Sequence, residues 1–245
     1  MEIAGTLLVG ALGLFVGAAI WIVSRAQVAK RPLFAGPACH ACGERLPTVG
    51  WLPFQGFGGA RRCLTCGVRE KALRVWFELG VAAYFMLLAI SHGWSSDLIP
   101  PLIFAVPLLV ILLVDWWTRL IYTNVIGLGV ILGLVFAAVE GPLALVNALM
   151  SAVGAAGVFG LLFVMAALIY RNIQVVPFGL GDVYLAAMIG AMVRYPAVVS
   201  ALFLGVLLAG VILVVLLLSK RVSRQTPVPY GPFLCAGALL TLLMA

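Results

Sequence analysis

A series of long apolar runs, several near 20 residues and almost free of charge, decides what this chain can fold into. An α-helix rises about 1.5 Å per residue, so roughly 20 residues match a hydrocarbon core about 30 Å thick. The alternating stretches of about ten residues that mark a membrane β-barrel are not seen. Composition agrees: 64% of the residues are hydrophobic and 9% are charged, whereas soluble domains carry about 25% charged residues. An ordinary soluble domain is excluded, and so is a disordered chain. The expected class is an all-α polytopic membrane protein with about eight transmembrane helices.

The first run is Ile3–Val23, with Glu2 before it. A secretory signal would begin basic and have a shorter core, so residues 1–24 are read as a retained first helix. Seven more helices are expected near Val75–Ile90, Leu98–Trp116, Ile121–Val139, Leu143–Tyr170, Gly181–Val193, Ala197–Ser219 and Tyr230–Met244, forming a core over residues 75–245. Gly181–Val193 is the weakest span: so few residues rise only about 20 Å. It must borrow flanking residues or be re-entrant.

Residues 25–74 differ in kind. They hold nine of the 15 basic residues, four of the five cysteines and a middle rich in proline and glycine. This reads as a small insert outside the hydrocarbon. With the insert in the cytoplasm and the helices crossing alternately, Arg119, Arg171, Lys220, Arg221 and Arg224 also fall inside. Only Arg194 falls outside, as the positive-inside rule requires. Both termini are then outside. The net charge of +7 reports orientation and proximity to lipid rather than nucleic acid.

Carboxylates are scarce. Glu78, Asp115 and Asp182 are the ones at or near membrane helices, where an ionised group is costly and usually marks function. In this layout all three lie toward the cytoplasmic face. Asp115 and Asp182 suggest a catalytic pair: two carboxylates sharing a site hold one proton between them, so one activates water while the other donates to a carbonyl. The alternative is that each caps a helix or pairs with Arg119 or Arg171. Before Asp182 stand Gly179 and Gly181, which would let the backbone bend and approach a substrate.

Cys39-x-x-Cys42 and Cys63-x-x-Cys66 fit a structural Zn²⁺ ribbon of four thiolates, with Gly43 and Gly67 suited to the tight turn after each pair. Two disulfides are the alternative, disfavoured on a cytoplasmic face. A site filled by four sulfurs is structural rather than catalytic. Cys235, alone in the last helix, reads as a packing residue.

The order of these features resembles the type IV prepilin peptidases, GxGD-type membrane aspartic proteases of pilus and type II secretion systems. The resemblance covers nearly the whole chain: a helix with Gly17, a two-CxxC insert containing Gly50-Trp51-Leu52-Pro53, Arg74-Val75-Trp76-Phe77-Glu78-Leu79, Asp115-Trp116-Trp117-Thr118-Arg119-Leu120-Ile121, Gly179-Leu180-Gly181-Asp182, and Val228-Pro229-Tyr230-Gly231-Pro232-Phe233-Leu234. It implies an endopeptidase of the bacterial inner membrane that removes the basic leader of prepilins or pseudopilins at the cytoplasmic face. Asp115 and Asp182 would be its dyad, and no metal would serve cleavage. Gly179 and Gly181 would shape the approach of the substrate, with Pro229, Gly231 and Pro232 bending the chain nearby.

Many members also methylate the new N-terminus with S-adenosylmethionine, an activity linked to the insert and to the glutamate matching Glu78. The bland reading of Glu78 is an ion pair with Arg74 on the same helical face. Three positions depart from the family pattern. Trp21 stands for an asparagine, Tyr122 for a proline and Tyr184 for a lysine, which bears on methyl transfer and substrate preference while leaving the dyad intact. Two other functions fit the same residues: an ion-coupled transporter, whose intramembrane carboxylates carry protons, and a catalytically degenerate assembly scaffold. The sequence sets no oligomeric state.

Overall fold

A computed structural model describes residues 2–31, 36–39, 41–45, 52–54, 63, 65–68, 73–120, 122–169, 179–219 and 230–244. Pro229 and Arg171 lie outside the described residues. Among the described residues eight α-helices follow in order: α1 (Glu2–Val28), α2 (Leu73–His92), α3 (Ile99–Thr118), α4 (Thr123–Glu140), α5 (Pro142–Ile169), α6 (Leu180–Val193), α7 (Ala197–Leu218) and α8 (Gly231–Met244), with a 3-10 turn at Ser96–Leu98. Among the described residues the only β pairing is an isolated bridge between Ala38 and Arg45. The fold is all-α, as expected.

Every expected helix is present, and the ends shift for local reasons. α1 runs on to Val28 because Ser24–Val28 holds neither proline nor glycine; the chain leaves it through Lys30 at φ 53°. α3 opens with Pro100 and Pro101 in its first turn, where a missing N–H leaves no helical bond unmade. Among the described residues six helices are long and apolar enough to cross a membrane; α6 and α8 are shorter, at 14 residues each.

The chain divides into two compact units, Met1–Leu102 and Ile103–Ala245. In the first, α1 packs antiparallel on α2: a methyl at Gly13 would stand 2.8 Å from the Ala82 Cα, and one at Gly17 3.1 Å from the Glu78 Cα. Lipid tails are as apolar as leucine, so helix pairs in a bilayer gain by close backbone approach, and small residues allow it.

In the second unit α6 is the central helix, packed by α4, α5, α7 and α8. Leu185, Ala186 and the run Met188–Met192 are all buried. This explains how so short a helix is tolerated at membrane depth: protein surrounds it, so its ends need not reach the lipid headgroups. Among the described residues it is a short helix with most of its length buried. At the C-terminal end of α6, Arg194 pairs with Glu140, its Nη2 lying 3.0 Å from Oε1. The charge layout puts Arg194 on the outer side.

Candidate active site and metal centre

Asp115 lies one turn before the C-terminus of α3 and is 3% exposed; Asp182 lies in the first turn of α6 and is 8% exposed. The two carboxylates are close enough for their charges to repel. The Gly231 backbone amide at the start of α8 lies close to Asp115, and the Gly179 N–H donates to Asp182 Oδ2 at 3.1 Å. The Asp182 N–H in turn donates to the Gly179 carbonyl at 3.0 Å. Asp182 thus does cap its own helix, but with one oxygen only. Among the described residues neither aspartate forms an ion pair, so the pairing of Asp115 with Arg119 does not occur; Arg119 reaches Asp115 only through its backbone N–H to the Asp115 carbonyl, at 2.8 Å.

The expected site residues of this unit therefore converge: Asp115, Asp182, Gly179, Gly181, Gly231 and Pro232. The reason for glycine at 179 differs from the expectation. Gly179 sits at φ −101°, ψ 152°, extended backbone open to any residue. Gly181 lies in the first turn of α6 and does not adopt positive φ. A methyl at Gly179 would stand 3.7 Å from Asp182 Oδ2. What the glycine supplies is open space beside a carboxylate, not backbone freedom.

Cys235 belongs to this neighbourhood as well. It is fully buried, within electrostatic reach of both aspartates. Its spacing of four from Gly231 places it one turn deeper on the same face of α8, a signal the sequence carries once Gly231 is known to touch Asp115.

The four insert cysteines and Glu78 belong to the other unit. Cys39, Cys42, Cys63 and Cys66 are free of disulfides, and their sulfurs lie within 4.8 Å of one another. Cys39–Cys66 and Cys42–Cys63 are each 3.5 Å apart. A tetrahedral metal with bonds of about 2.3 Å to sulfur sets its sulfurs roughly 3.8 Å apart, so the cluster fits such an ion with little adjustment. Two matching turns build it. Gly43 N–H donates to the Cys39 carbonyl at 3.0 Å, and Gly67 N–H to the Cys63 carbonyl at 2.8 Å. Both glycines are left-handed, at φ 76° and 70°, as their sequence positions suggested.

The backbone amides of these turns favour thiolate. Those of Cys66 and Thr65 bring the Cys63 thiol down to about 6, and that of Cys42 lowers Cys39. Cys42 rises to about 12 and Cys66 also rises, despite the amides of Glu44 and Val68, because desolvation and the neighbouring sulfurs favour the thiol. A metal ion would relieve that competition by taking all four as thiolates.

Glu78 is wholly buried in α2. Its Oε1 accepts from Arg74 Nε at 2.7 Å and its Oε2 from the Phe54 N–H at 2.7 Å. Arg74 Nη2 donates to the Leu52 carbonyl at 3.1 Å. The ion pair is therefore formed, and with its backbone partners it ties the Leu52–Phe54 loop of the insert to α2. Trp21, in place of the asparagine, is buried on α1 beside Phe77, their ring centroids 5.9 Å apart.

Residues 102–214, which hold both aspartates, match the type IV leader peptidase family. That match covers the part of the chain from α3 into α7. The chain is also similar to the prepilin leader peptidase/N-methyltransferase of Bacillus subtilis, 26% identical over 84% of this chain and 80% of the relative. The protein of the same name in Myxococcus xanthus is 29% identical over 85% of this chain and 62% of the relative. No solved structure matches the chain. These likenesses support a membrane peptidase, and the relatives that carry them are prepilin leader peptidases.

Proposed function

We propose that this protein is an aspartic endopeptidase that removes the leader of prepilins or pseudopilins at the cytoplasmic face of the bacterial inner membrane, with Asp115 and Asp182 as its dyad. One observation carries the reading: two buried carboxylates from different helices are close enough to repel each other, and neither pairs with a cation among the described residues. Two such groups do not readily ionise together, so the pair holds one proton. The ionised carboxylate takes a proton from water as the water attacks the scissile carbonyl. The protonated one donates to the carbonyl oxygen; the carboxyl that took the proton from water then gives it to the leaving amine nitrogen, and the other takes back the hydroxyl proton as the carbonyl re-forms. A transporter would need a carboxylate path through the bilayer; the described residues place these two at one end of their helices.

We propose zinc for the four-cysteine cluster, held by Cys39, Cys42, Cys63 and Cys66. It would stabilise the insert and take no part in cleavage. S-adenosylmethionine does not fit the described residues in the same way. The cavity beside the cysteines is about 260 Å³, under the roughly 300–1,000 Å³ of cofactor sites, and both oxygens of Glu78 are engaged.

The test is incubation of the purified chain and its Asp115→Asn and Asp182→Asn variants with a prepilin in detergent, read by mass spectrometry. Each variant should lose at least about a thousandfold in cleavage rate, as removal of one member of a catalytic set does. Near-normal cleavage by either variant removes that residue from the dyad. The same spectra read any methyl group on the new N-terminus.

A further inference from the structure

Two apolar grooves on the second unit join into one track. The first, about 640 Å³, lies between α5 and α7 and reaches from Asn147 and Tyr195 at one end to Leu162 and Val206 at the other. The second, about 490 Å³, continues along α7 to Val215, and the two share Phe203 and Val206. From Val198 to Val215 the helix rises about 26 Å, close to a hydrocarbon core of about 30 Å. The polar end of the track is already engaged. Asn147 Nδ2 donates to the Tyr195 carbonyl at 2.9 Å, and its Oδ1 accepts from the Tyr195 N–H at 3.1 Å and from Ser151 Oγ at 3.0 Å. What the track offers along the rest of its length is apolar surface. It is open at Gly154 and Gly210, where nothing stands within 4 Å of an added methyl.

Both walls of the track pass the depth of the dyad. On α5, Gly160 stands between the lining residues Phe159 and Leu162, and a methyl there would lie 3.9 Å from Cγ1 of Val183, the residue after Asp182. On α7, Gly205 precedes the lining residue Val206. A methyl there would lie 2.8 Å from the Cα of Leu234, one turn from Gly231, whose amide lies close to Asp115. A chain cut at that depth has part of its length in hydrocarbon, where a single segment satisfies its own N–H and C=O groups only as a helix. Such a helix needs an apolar seat that passes the dyad's depth and runs on through the bilayer. Helices in lipid gain by close backbone approach over small residues, which Gly154 and Gly210 permit. A lipid tail reaches only to the midplane, about 15 Å, so no single tail fills the track.

We propose that this track seats the apolar helix of the substrate, with the bond to be cut at the depth of Asp182; this rests on the peptidase reading above. The experiment uses the full chain in nanodiscs, carrying Asp115→Asn so that a bound prepilin stays whole. Photoreactive benzoylphenylalanine replaces Phe203 on the track or, as a control, Leu161, which is exposed on α5 but does not line it. After illumination the joined partners are identified by mass spectrometry. In the chain with both aspartates, kcat and KM for the same prepilin are measured for Gly154→Leu and for Gly157→Leu. Both glycines have open space beside them, and only Gly154 lines the track.

The probe at position 203 should join the prepilin through its apolar segment, and the probe at 161 should not. Gly154→Leu fills the seat and should lower kcat/KM about tenfold or more, chiefly through KM, as overpacking of a fitted surface does. Gly157→Leu should match the parent. The proposal is overturned if the probe at 203 joins only a second copy of this chain or only lipid, or if both probes join the prepilin equally. It is also overturned if the two leucine variants share one KM. Failure of the peptidase reading shows itself separately, as a wild type that leaves the prepilin uncut, while the crosslinks still report what occupies the track.

Discussion

Arg74 and Glu78 form a buried ion pair within α2, Nε to Oε1 at 2.7 Å, with the two side chains 3% and 0% exposed. The pair lies one turn apart at the start of a membrane helix and reaches outward to Leu52 and Phe54. Glu78→Gln keeps the size and an acceptor for the Phe54 amide but takes away the carboxylate that Arg74 Nε meets in α2. Breaking a buried pair by removing one partner costs about 3–5 kcal/mol, whereas replacing both by apolar residues is often neutral. Glu78→Gln should therefore lower the thermal midpoint in detergent clearly, and Arg74→Met with Glu78→Leu should recover most of the loss. A single variant that melts with the parent would show that the pair is not holding the insert.

Glycines in the second unit are predicted to divide by what stands above them. Gly190 on α6 faces the backbone of α5: a methyl there would lie 2.5 Å from the Ser151 carbonyl oxygen, and backbone cannot step aside. Overpacking of this kind costs about 1–3 kcal/mol, more than the roughly 1 kcal/mol that alanine gains over glycine in a helix. Gly190→Ala should lower the thermal midpoint. Gly154 on α5 has nothing within 4 Å of the same position, so Gly154→Ala should keep or raise it. Equal behaviour of the two variants would contradict the packing of α5 on α6.

The four-cysteine cluster predicts one metal ion per chain. Elemental analysis of protein purified without chelator should find zinc near one equivalent, and Cys63→Ser should release it. Because such binding energy is part of the folding energy of a small domain, the insert should become sensitive to protease while the helices stay resistant. Gly43→Ala should act in the same direction more weakly. Its φ of 76° disfavours a side chain, and the new methyl would meet Arg31 Nη2 at 2.6 Å. Absence of metal together with intact, protease-resistant protein would sink the assignment.

What the sequence made legible follows from how costly the alternatives are. Apolar runs of membrane length have few ways to fold, so all eight helices could be placed before any coordinates. Asp115 and Asp182 stood out because a carboxylate in such a run is expensive without a purpose. The Cys-x-x-Cys pairs carried their turns with them, since Gly43 and Gly67 sit where left-handed backbone is needed. Three things depended on contacts distant in the chain and could not be read locally. The loop at Leu52 and Phe54 meets Glu78 across more than twenty residues. Gly231, on the last helix, presents its amide to Asp115 on the third. And α6 is short because other helices surround it, which its own sequence does not state.

Gly179 yields the most direct test of how substrate reaches the dyad. Its extended backbone accepts alanine without strain, and the added methyl would make ordinary contact with Asp182 Oδ2 at 3.7 Å and the Gly181 amide nitrogen at 3.8 Å. Gly179→Ala should therefore fold, insert and melt like the parent. If a peptide backbone must come alongside Asp182, that methyl occupies its path. A displacement of about 1 Å at a reacting centre can cost roughly a hundredfold in rate. The expected result is an unchanged thermal midpoint with kcat/KM for leader cleavage reduced at least about tenfold. Gly179→Ser should do the same or worse, because its hydroxyl could also donate to Asp182 and compete with the Gly179 amide. Full activity in Gly179→Ala would mean that the substrate approaches from another side, and that the glycine at this position serves neither backbone nor access.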